Sequence, residues 1–367
     1  MSSTRTGRVV VGISGGVDSS VAALLLRDQG YEVHGLFMQN WDEDDSYCDA
    51  AADFQEARSA SEVLGIPLHR VNFAAEYRAR VFEHFLAEHR AGRTPNPDVL
   101  CNREIKFGAF FAYALRLGAE QMATGHYARV QRDAAGVAHL YQGHDRAKDQ
   151  SYFLHAVPQA ALQRTLFPLG EMQKSDVRAT ARRRGLANFD RRDSTGICFI
   201  GERPFRRFLS GFLPEEPGPM CTPDGATVGT HMGLAYYTLG QRRGLGLGGR
   251  RDGPEAAWFV VGKDTARNVL VVVQGDDHPD LYTRTVSATQ PHWIAGAPSQ
   301  LPLRCAAKVR YRQADQACTI LSIEADRCEV RFDEAQRAVT PGQYVVFYSG
   351  EECLGGAVIA SIAADRL

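Results

Sequence analysis

Residues 9–20 read VVVGISGGVDSS, an apolar run followed by two glycines and then by the start of a helical pattern. Glycine lets the backbone approach a ligand closely, and the first N–H groups of a helix attract anions, so this order predicts a phosphate-binding turn between a strand and a helix. A P-loop of the G-x-x-x-x-G-K-S/T type ends in a lysine that reaches the β- and γ-phosphates. Here the turn ends Gly15-Gly16-Val17-Asp18-Ser19, without a lysine. Such a turn suits a pyrophosphate that departs as a unit, which implies cleavage between the α- and β-phosphates and adenylation of an acceptor.

Short β-rich runs alternate with helical runs between residues 8 and 125. This alternation predicts a βαβ series, that is, a parallel sheet covered by helices on both faces. Ligands of such sheets collect beyond the carboxyl ends of the strands, which is where the opening stretch lies. Further along, residues 159–212 are expected to be helical, and the pattern of residues 257–275 is that of a β-hairpin.

We therefore predict an α/β protein with an N-terminal Rossmann-like parallel-sheet domain, a small mainly β linker domain and a C-terminal antiparallel β-barrel. A chain of 367 residues exceeds the size at which single hydrophobic cores usually stop growing, so several domains are expected. The expected boundaries are 1–208, which includes a helical extension, then 209–283 and 284–367.

Composition excludes several classes of protein. The formal net charge of -1 fits neither a histone-like binder nor an acidic tail protein. Eight cysteines without a C-x-x-C spacing favour neither a disulfide scaffold nor a structural zinc site. No secretory signal pattern opens the chain and no apolar run is long enough to span a bilayer, so we expect a cytoplasmic protein without a membrane partner.

The positively charged side chains are unevenly distributed along the sequence. Between Arg178 and Arg207 the sequence carries nine arginines against three acidic residues, a local balance of +6. A patch of this kind predicts a docking surface for a polyanion, and a solvated helix face is the alternative.

The glycine turn and six further motifs carry a resemblance to a known family. Ser14–Ser19 has the S-G-G-x-D-S order of the PP-loop ATP pyrophosphatases. TPNPDVLCNREIKFG around Cys101 and DSTGICFIGERPF around Cys198 occur together with GLFMQNW, ATGHYARV, KDQSYFL and YTLGQRRGL. In this order the motifs closely resemble the bacterial tRNA-specific 2-thiouridylase family. The resemblance runs from residue 8 to PGQYVVFY near the end, so it covers essentially the whole chain.

The resemblance implies an activity and its partners. Members of the family adenylate the C2 oxygen of the wobble uridine, position 34, in lysine, glutamate and glutamine tRNAs and replace that oxygen with sulfur, releasing AMP and pyrophosphate. The implied cofactors are ATP and Mg²⁺. The implied partners are the tRNA anticodon stem-loop and a sulfur-donor protein, either a cysteine desulfurase or a relay protein, and the expected state is a monomer.

The resemblance also implies roles for individual residues. Cys198 would carry the incoming sulfur as a persulfide, Cys101 would resolve it, which can leave a disulfide between the two, and Asp98 would act as general acid or base. Asp18 is the expected magnesium contact, and a helix N-cap is its alternative role. The implied nucleotide contacts are Gly12, Ile13, Ser14, Gly15, Gly16, Val17, Asp18, Ser19, Met38 and Gly125. The implied tRNA contacts are Asn96, Pro97, Asp98, His126, Lys148, Asp149, Gln150, Arg310, Tyr311 and Gln343.

Several alternatives stay open at this point. The protein could be another adenylating PP-loop ligase, which needs no paired thiols, or a noncatalytic RNA-binding protein with a degenerate nucleotide fold. Taken without the motifs, Met38 would be a core residue, residues 96–98 an ordinary turn with a helix N-cap, and residues 148–150 a solvated loop. The remaining cysteines are expected to be buried small hydrophobic residues, namely Cys48, Cys221, Cys305, Cys318, Cys328 and Cys353.

Overall fold

The computed structural model describes residues 7–41, 50–192, 205–248 and 256–362. Its strands are β1 (Arg8–Gly12), β2 (Glu32–Gln39), β3 (Leu68–Asn72), β4 (Gln121–Ala123), β5 (Ala128–Arg132), β6 (Ala138–Gln142), β7 (Thr165–Leu166), β8 (Gly218–Cys221), β9 (Thr227–His231), β10 (Trp258–Asp264), β11 (Val269–Gln274), β12 (Tyr282–Trp293), β13 (Leu303–Lys308), β14 (Gln316–Glu324), β15 (Arg327–Arg337), β16 (Tyr344–Ser349) and β17 (Glu352–Ile362). Its α-helices are α1 (Val17–Asp28), α2 (Ala50–Leu64), α3 (Ala74–Tyr77), α4 (Glu83–Arg90), α5 (Pro97–Leu100), α6 (Phe111–Arg116), α7 (Ser151–Leu154), α8 (Gln159–Leu162), α9 (Lys174–Arg183) and α10 (Phe205–Leu209). π-Helical segments join α3 to α4 (Arg78–Phe82) and α5 to α6 (Cys101–Phe110).

The first sheet is the predicted parallel sheet, with strand order β3-β2-β1-β4-β7. Its central strand β1 carries Val9, Val10 and Val11, each fully buried, because helices cover both faces of the sheet. The prediction of a wholly helical segment over residues 159–212 is wrong in one respect, because β7 lies within it and pairs with β4 as the edge strand. A strand of only two residues leaves too short an apolar run to be recognised from sequence.

The second sheet is small and lies between the two larger units in sequence. Its strand order is β10-β11-β8-β9. The predicted hairpin is confirmed as β10 and β11, which pair antiparallel with Trp258 opposite Gln274. This part of the chain is mainly β, as expected.

The third sheet contains the predicted antiparallel barrel. Six strands follow the order β12-β15-β14-β13-β16-β17, and β12 also pairs with β17, which closes the ring. Inward-facing side chains such as Val330, Phe332 and Phe347 are almost completely buried and form one core. Closure leaves no free edge among these six strands.

Two strands of the barrel sheet come from far earlier in the chain than the barrel itself. β5 and β6 form a hairpin directly after β4, and β6 pairs antiparallel with β17, placing Leu140 opposite Cys353. An ion pair between His139 Nδ1 and Glu352 Oε1 at 2.6 Å reinforces the junction and raises the pKa of His139. The hairpin therefore fixes the barrel against the parallel sheet, since only the segment 124–127 separates β4 from β5.

Within the described ranges, the structure holds no helix that combines the length and the apolar character needed to cross a bilayer. The expectation that the remaining cysteines are buried is met by only some of them. Cys318, Cys328 and Cys353 are buried, whereas Cys221 and Cys305 are only half-buried. Cys48 lies outside the described residues.

Leu140→Ala tests the docking of the hairpin onto the barrel. Leu140 is fully buried, so we expect the free energy of unfolding to fall by about 2–5 kcal/mol through lost burial and the cavity left behind. Urea denaturation followed by tryptophan fluorescence measures the change. The matched control is Leu321→Ala, since Leu321 is 45% exposed on β14 and should shift stability by no more than about 0.5 kcal/mol. Equal effects of the two substitutions would contradict the assignment of Leu140 to an interdomain core.

Candidate functional site

The turn between β1 and α1 depends on the backbone conformation and the close packing of its glycines. Gly15 has a φ of +81°, a conformation that favours glycine, and a Cβ there would lie 2.5 Å from the carbonyl oxygen of Asp53. Gly16 occupies the N-cap position of α1 without a side-chain cap. The Ser14 N–H donates to Ser19 Oγ at 3.1 Å, which holds the turn closed.

The apolar side chains of the motif contribute to the core. Ile13 is 2% exposed and Val17 is 3% exposed. Their side chains are thus unavailable to a ligand, and contact with them would run through the backbone. Ser14 is exposed, and the first N–H groups of α1 have no intrahelical partner, so a serine hydroxyl and several amides can donate to an anion here.

Asp18 is the acidic group of this turn, and its surroundings differ from the sequence expectation. Both carboxylate oxygens lie 2.7 Å from Lys174 Nζ, and Tyr127 donates its hydroxyl to Oδ1 at 2.7 Å. The alternative role of Asp18 as N-cap is wrong, since Gly16 holds that position. A lysine is absent from the motif, yet α9 brings one to it from more than 150 residues away. Neither Lys174 nor Tyr127 was identified from the sequence.

The residues beside the turn offer little to a metal ion on their own. Among the described residues, no group of three or more His, Cys, Asp or Glu side chains is placed to hold a metal. Asp18 supplies one carboxylate, and Lys174 already pairs with it. Mg²⁺ is usually held by one or two carboxylates together with substrate phosphates and water. The residues that the structure describes therefore do not by themselves form a magnesium site here, and Asp18 as a metal ligand stays a prediction.

Gly125 lies where β4 meets the start of α1. A Cβ at this position would be 2.7 Å from the backbone nitrogen of Ser19 and 2.8 Å from the carbonyl carbon of Asp18. Only glycine lets the two backbones approach this closely. Gly125 therefore positions the first turn of α1, and its contact to a nucleotide stays a prediction.

The second half of the site begins at Asn96, Pro97 and Asp98. Asn96 is the N-cap of α5, its side chain accepts the Asp98 N–H at 3.2 Å, and Pro97 follows as the first helical residue. This is the preferred chemistry of a helix start. Burial raises the pKa of the Asp98 carboxyl, although the positive charge of Lys106 opposes the shift. Lys106 was not identified from the sequence.

Cys101 follows α5 as the first residue of the π-helical segment and is 1% exposed. It packs in the same core as Leu100 and Ile105. Cys198 lies outside the described residues, so the pairing of the two thiols stays a prediction.

His126 joins the two halves. It is 8% exposed, and its Nδ1 lies 2.7 Å from Thr124 Oγ1. Burial, together with the positive charge of Lys106, holds the pKa of His126 well below its usual range. The imidazole is thus neutral near pH 7, and any contact it makes with RNA is a hydrogen bond or a stacking contact and not a salt link to phosphate.

Gln343 connects the barrel to the turn that precedes α5. Its Nε2 donates to the carbonyl oxygens of Thr94 at 2.8 Å and Pro95 at 3.1 Å. The Thr94 N–H in turn donates to Pro341 O at 2.9 Å. Gln343 was expected to contact tRNA. The structure gives its side chain a second task, which is to hold residues 94–95 in place directly before Asn96.

A cavity of about 210 Å³ opens between α4, this turn and the barrel. Cationic and aromatic side chains are part of its lining, together with Asn96 and Gly342. Arg93, Arg103 and Tyr344 provide the charge and the ring. This combination of arginine and aromatic surface suits contact with phosphate and bases.

The predicted triplet Lys148-Asp149-Gln150 is tied into the fold. Asp149 is 5% exposed and accepts hydrogen bonds from the backbone of Gly143 and Ser151. The solvated-loop alternative is wrong for this residue. Gln150 Oε1 accepts the Tyr127 N–H at 3.0 Å, which links the triplet to the segment carrying Gly125 and His126. Contact of the triplet with tRNA stays a prediction.

The other expected contacts lie in two places, the loop between β13 and β14 and the end of β2. Arg310 is exposed in the β13–β14 loop, and the neighbouring Tyr311 ring lies 4.4 Å from the Phe153 ring, centroid to centroid. Lys308, at the end of β13, pairs with Asp149 at 3.5 Å and so attaches this loop to the triplet. Met38 is half-buried at the end of β2 and packs against the core.

The arginine patch is only partly free for a polyanion in the described residues. Arg184 pairs with Asp28, and Arg191 pairs with Asp53. Arg178 donates to the carbonyl oxygens of Asp190 and Arg191. Arg182 and Arg183 remain exposed on α9. Several of the arginines thus stabilise the loop that backs the glycine turn, and the docking role of the patch stays a prediction.

The parallel sheet, the glycine turn and the barrel define the class of protein, a PP-loop nucleotide-binding protein of the HUP type with an appended β-barrel. Three family models match, described as a tRNA methyl transferase HUP domain over residues 7–202, a tRNA methyl transferase PRC-barrel domain over 206–274 and an aminomethyltransferase β-barrel domain over 283–359. Curated proteins match over nearly their whole length. The chain belongs to the tRNA-specific 2-thiouridylase family.

Two relatives illustrate the match. The tRNA-specific 2-thiouridylase MnmA of Chromohalobacter salexigens is 59% identical over 98% of this chain and 94% of the relative. The protein of the same name from Cupriavidus necator H16 is 58% identical over 96% of this chain and 98% of the relative. A solved U34-tRNA thiolase NcsA from Methanococcus maripaludis is 16% identical with a TM-score of 0.33 over 56% of this chain and 63% of that one, a likeness too weak to add to the assignment.

Gly125→Ala tests the close approach behind the glycine turn. The added methyl group would collide with the backbone of Asp18 and Ser19, so α1 must shift and we expect ATP affinity to fall by about tenfold or more. Isothermal titration with ATP measures the effect. Gly248→Ala is the control, because a Cβ at Gly248 meets nothing within 4 Å. Unchanged affinity in Gly125→Ala would contradict the role of Gly125 in positioning the turn.

Gln343→Glu tests the connection between the barrel and the turn before α5. The substitution keeps the size of the side chain but replaces the donor that serves Thr94 O and Pro95 O with an acceptor. Losing two hydrogen bonds of about 1 kcal/mol each should speed amide exchange at Thr94 by about tenfold or more, measured by hydrogen–deuterium exchange. Gln131→Glu, at an exposed position of β5, is the matched control. Equal protection of residues 94–98 in wild type and Gln343→Glu would overturn the proposed support.

Proposed function

We propose that this protein uses ATP to replace the C2 oxygen of the wobble uridine of tRNA with sulfur. One observation carries the proposal. Segment 124–127 contacts Asp18 and Ser19 of the glycine turn, and the ring of its His126 lies 6.0 Å, centroid to centroid, from Phe107 in the π-helical segment that begins at Cys101. The positive charge of Lys106 acts on both His126 and Asp98. This proximity supports a proposal that combines adenylation at the glycine turn with thiol chemistry at Cys101, on a chain whose relatives are named 2-thiouridylases.

The first step is activation of the base. The backbone amides of the turn and Ser14 would hold the pyrophosphate portion of ATP, and Lys174 lies beside it with its ammonium on Asp18. The C2 oxygen of uracil attacks the α-phosphate, and pyrophosphate leaves. Lys174 balances negative charge that develops on the departing group, a role that the motif itself cannot fill.

A proton must leave the base during this step, because adenylation of the C2 oxygen makes the N3–H of uracil acidic. Asp98 is placed at a helix start, and its raised pKa makes it a stronger base than an ordinary aspartate. We assign to Asp98 the role of accepting the N3 proton and of returning it when the thiocarbonyl product forms. Asn96 and Pro97 hold this carboxylate in position, since Asn96 caps the same helix.

Sulfur transfer follows. Cys198 would present a persulfide whose terminal sulfur, or sulfide freed from it, attacks carbon 2, and AMP departs with the former C2 oxygen. Where the persulfide itself attacks, a C–S–S linkage to Cys198 results. The Cys101 thiolate then attacks Cys198 Sγ, the S–S bond breaks towards the nucleotide, and 2-thiouridine leaves while a Cys101–Cys198 disulfide remains. A thiol reductant then reduces this disulfide to the two thiols, and a sulfur-donor protein transfers the next sulfur to Cys198.

Magnesium fits this reaction only together with the nucleotide. Asp18 supplies a carboxylate beside the turn, and phosphate oxygens would have to complete the coordination. When bound, Mg²⁺ would neutralise charge on the phosphates. The tRNA would reach the site across the Arg310–Tyr311 loop and the cavity beside Asn96, where the side chains of Arg310 and Arg93 are exposed to solvent.

The family models describe their members as methyl transferases, and an adenylating ligase with another acceptor is a further possibility. Both differ from the proposal in their chemistry. Methyl transfer from a methyl donor needs no cleavage of ATP, and a ligase of the ordinary kind needs no thiol pair. Formation of AMP and pyrophosphate that depends on tRNA, combined with a requirement for Cys198, separates thiolation from both.

Cys198→Ala tests the sulfur-carrier role. In single-turnover reactions with unmodified tRNA, ATP and a donor protein that carries a cysteine persulfide, we expect 2-thiouridine formation to fall by about 10³-fold or more, because the covalent sulfur carrier is gone. Tandem mass spectrometry of the digested tRNA measures the product, and pyrophosphate release is followed in parallel. Cys221→Ala is the control, since Cys221 is half-buried in the middle sheet and its Sγ contacts Thr227.

Three outcomes are informative. Loss of thiolation with pyrophosphate release retained supports the division of labour described here. Full thiolation by Cys198→Ala would overturn the sulfur-carrier role. Absence of tRNA-dependent AMP and pyrophosphate in the wild-type protein would favour a noncatalytic RNA-binding protein.

A further inference from the structure

Two cysteines face each other in the middle of the β13–β14 hairpin. Cys305 on β13 is directly opposite Cys318 on β14 in the antiparallel register, and their Sγ atoms lie 3.6 Å apart. Neither residue has a part in the thiolation chemistry described above. The two thiols are separated by 13 positions in sequence and belong to the barrel, not to the parallel-sheet unit.

The backbone at this position is compatible with a covalent bond. Residues directly opposite one another in an antiparallel pair have Cα atoms about 4.5 or 5.5 Å apart, which lies within the range of about 4.4–6.8 Å found in disulfides. The two sulfurs must approach from 3.6 Å to about 2.05 Å. Side-chain rotation supplies a movement of this size, so the strands need not separate.

The two thiols differ in their surroundings. Cys305 is half-buried, whereas Cys318 is completely buried in the barrel core. The thiol contact with Cys318 and the nearby guanidinium of Arg304 lower the pKa of Cys305. The same contact and burial raise the pKa of Cys318. Cys305 is thus the more accessible and more acidic thiol, and Cys318 is placed behind it.

The hairpin that the pair would lock presents a functional loop. Residues 309–315 connect β13 to β14 and carry Arg310 and Tyr311. Within the loop, the Val309 N–H donates to Gln313 Oε1 at 2.8 Å, and Arg312 has a φ of +63°. Few contacts hold Arg310 itself, which is exposed. A covalent bond across the hairpin would reduce the freedom of the strands from which this loop extends.

We propose that Cys305 and Cys318 form a reversible disulfide that restrains the β13–β14 loop when the protein meets a peroxide. The Cys305 thiolate attacks a peroxide oxygen, the O–O bond breaks, and a sulfenic acid forms with release of water or an alcohol. The Cys318 sulfur then attacks the Cys305 sulfur, hydroxide leaves with the Cys318 proton as water, and the S–S bond forms. Two thiols are oxidised and one peroxide is reduced. A low-molecular-weight thiol in excess reverses the reaction by exchange.

Any effect of the restrained β13–β14 loop on RNA binding rests on the proposed function. Formation of the Cys305–Cys318 disulfide does not depend on that function. The experiment therefore measures the bond and the loop without RNA. The full-length protein is treated with increasing hydrogen peroxide, remaining thiols are blocked with N-ethylmaleimide, and the protein is digested with trypsin. Cleavage after Lys308, Arg310 and Arg312 places Cys305 and Cys318 on different peptides. Only a disulfide then joins the two peptides in the mass spectrum.

We expect a cross-linked pair of peptides that is lost after dithiothreitol treatment and absent from Cys305→Ser and Cys318→Ser. Cys221→Ser should keep it. In the oxidised wild type, hydrogen–deuterium exchange of residues 309–315 should slow by about threefold or more, and in oxidised Cys305→Ser it should not change. Appearance of Cys305 only as its maleimide adduct or as sulfinic acid, with no linked peptide at any dose, would overturn the proposal. A linked peptide with unchanged exchange in the loop would overturn the restraint.

Discussion

The close approach of three backbones at the start of α1 is the constraint on which the site depends. Gly15 packs against α2 and Gly125 lies against the Asp18–Ser19 peptide, and a Cβ at either position would collide with a backbone atom. Gly16 is the N-cap of α1. This packing exposes helix N–H groups to an anion while Ile13 and Val17 anchor the turn in the core. A side-chain substitution does not remove a backbone N–H group. An anion site built from backbone amides therefore keeps its donors under substitutions that would remove a donating side chain.

The second organising feature is the way the barrel supports chemistry that lies outside it. The β5–β6 hairpin continues directly from the segment 124–127 into the barrel sheet, so the barrel is an extension of the catalytic unit. Gln343 reaches back to the turn before Asn96. Lys308 and Asp149 form a pair that is 11% and 4% exposed, and removing one partner of such a pair typically costs about 3–5 kcal/mol. The barrel is therefore tied by side-chain contacts both to the turn before Asn96 and to the segment that carries Asp149.

Much of this arrangement could be predicted from the sequence because it is local. The glycine turn, the βαβ order, the β10–β11 hairpin and the barrel strands β13 to β17 follow from hydrophobic period and turn residues that lie next to one another. The N-cap role of Asn96 follows from the Asn-Pro-Asp order for the same reason.

What the sequence could not supply is nonlocal. Lys174 meets Asp18 across 156 positions, and nothing in the residues around Lys174 indicates that partner. The short strand β7 is set by pairing with β4 and not by its own pattern. Asp149 reads as a loop residue because its neighbours are polar, yet backbone amides and Lys308 compensate its burial. In each case tertiary contacts decide, and single-sequence patterns carry no information about them.

The central claim is that cleavage between the α- and β-phosphates of ATP activates the uracil for attack by sulfur. The most direct test compares single-turnover thiolation of unmodified tRNA with ATP, with β,γ-methylene-ATP and with α,β-methylene-ATP, at saturating nucleotide and with a sulfur-loaded enzyme. We expect 2-thiouridine with ATP and with β,γ-methylene-ATP, and none with α,β-methylene-ATP, whose α–β link cannot be cut. Thiolation at the ATP rate with α,β-methylene-ATP would contradict it.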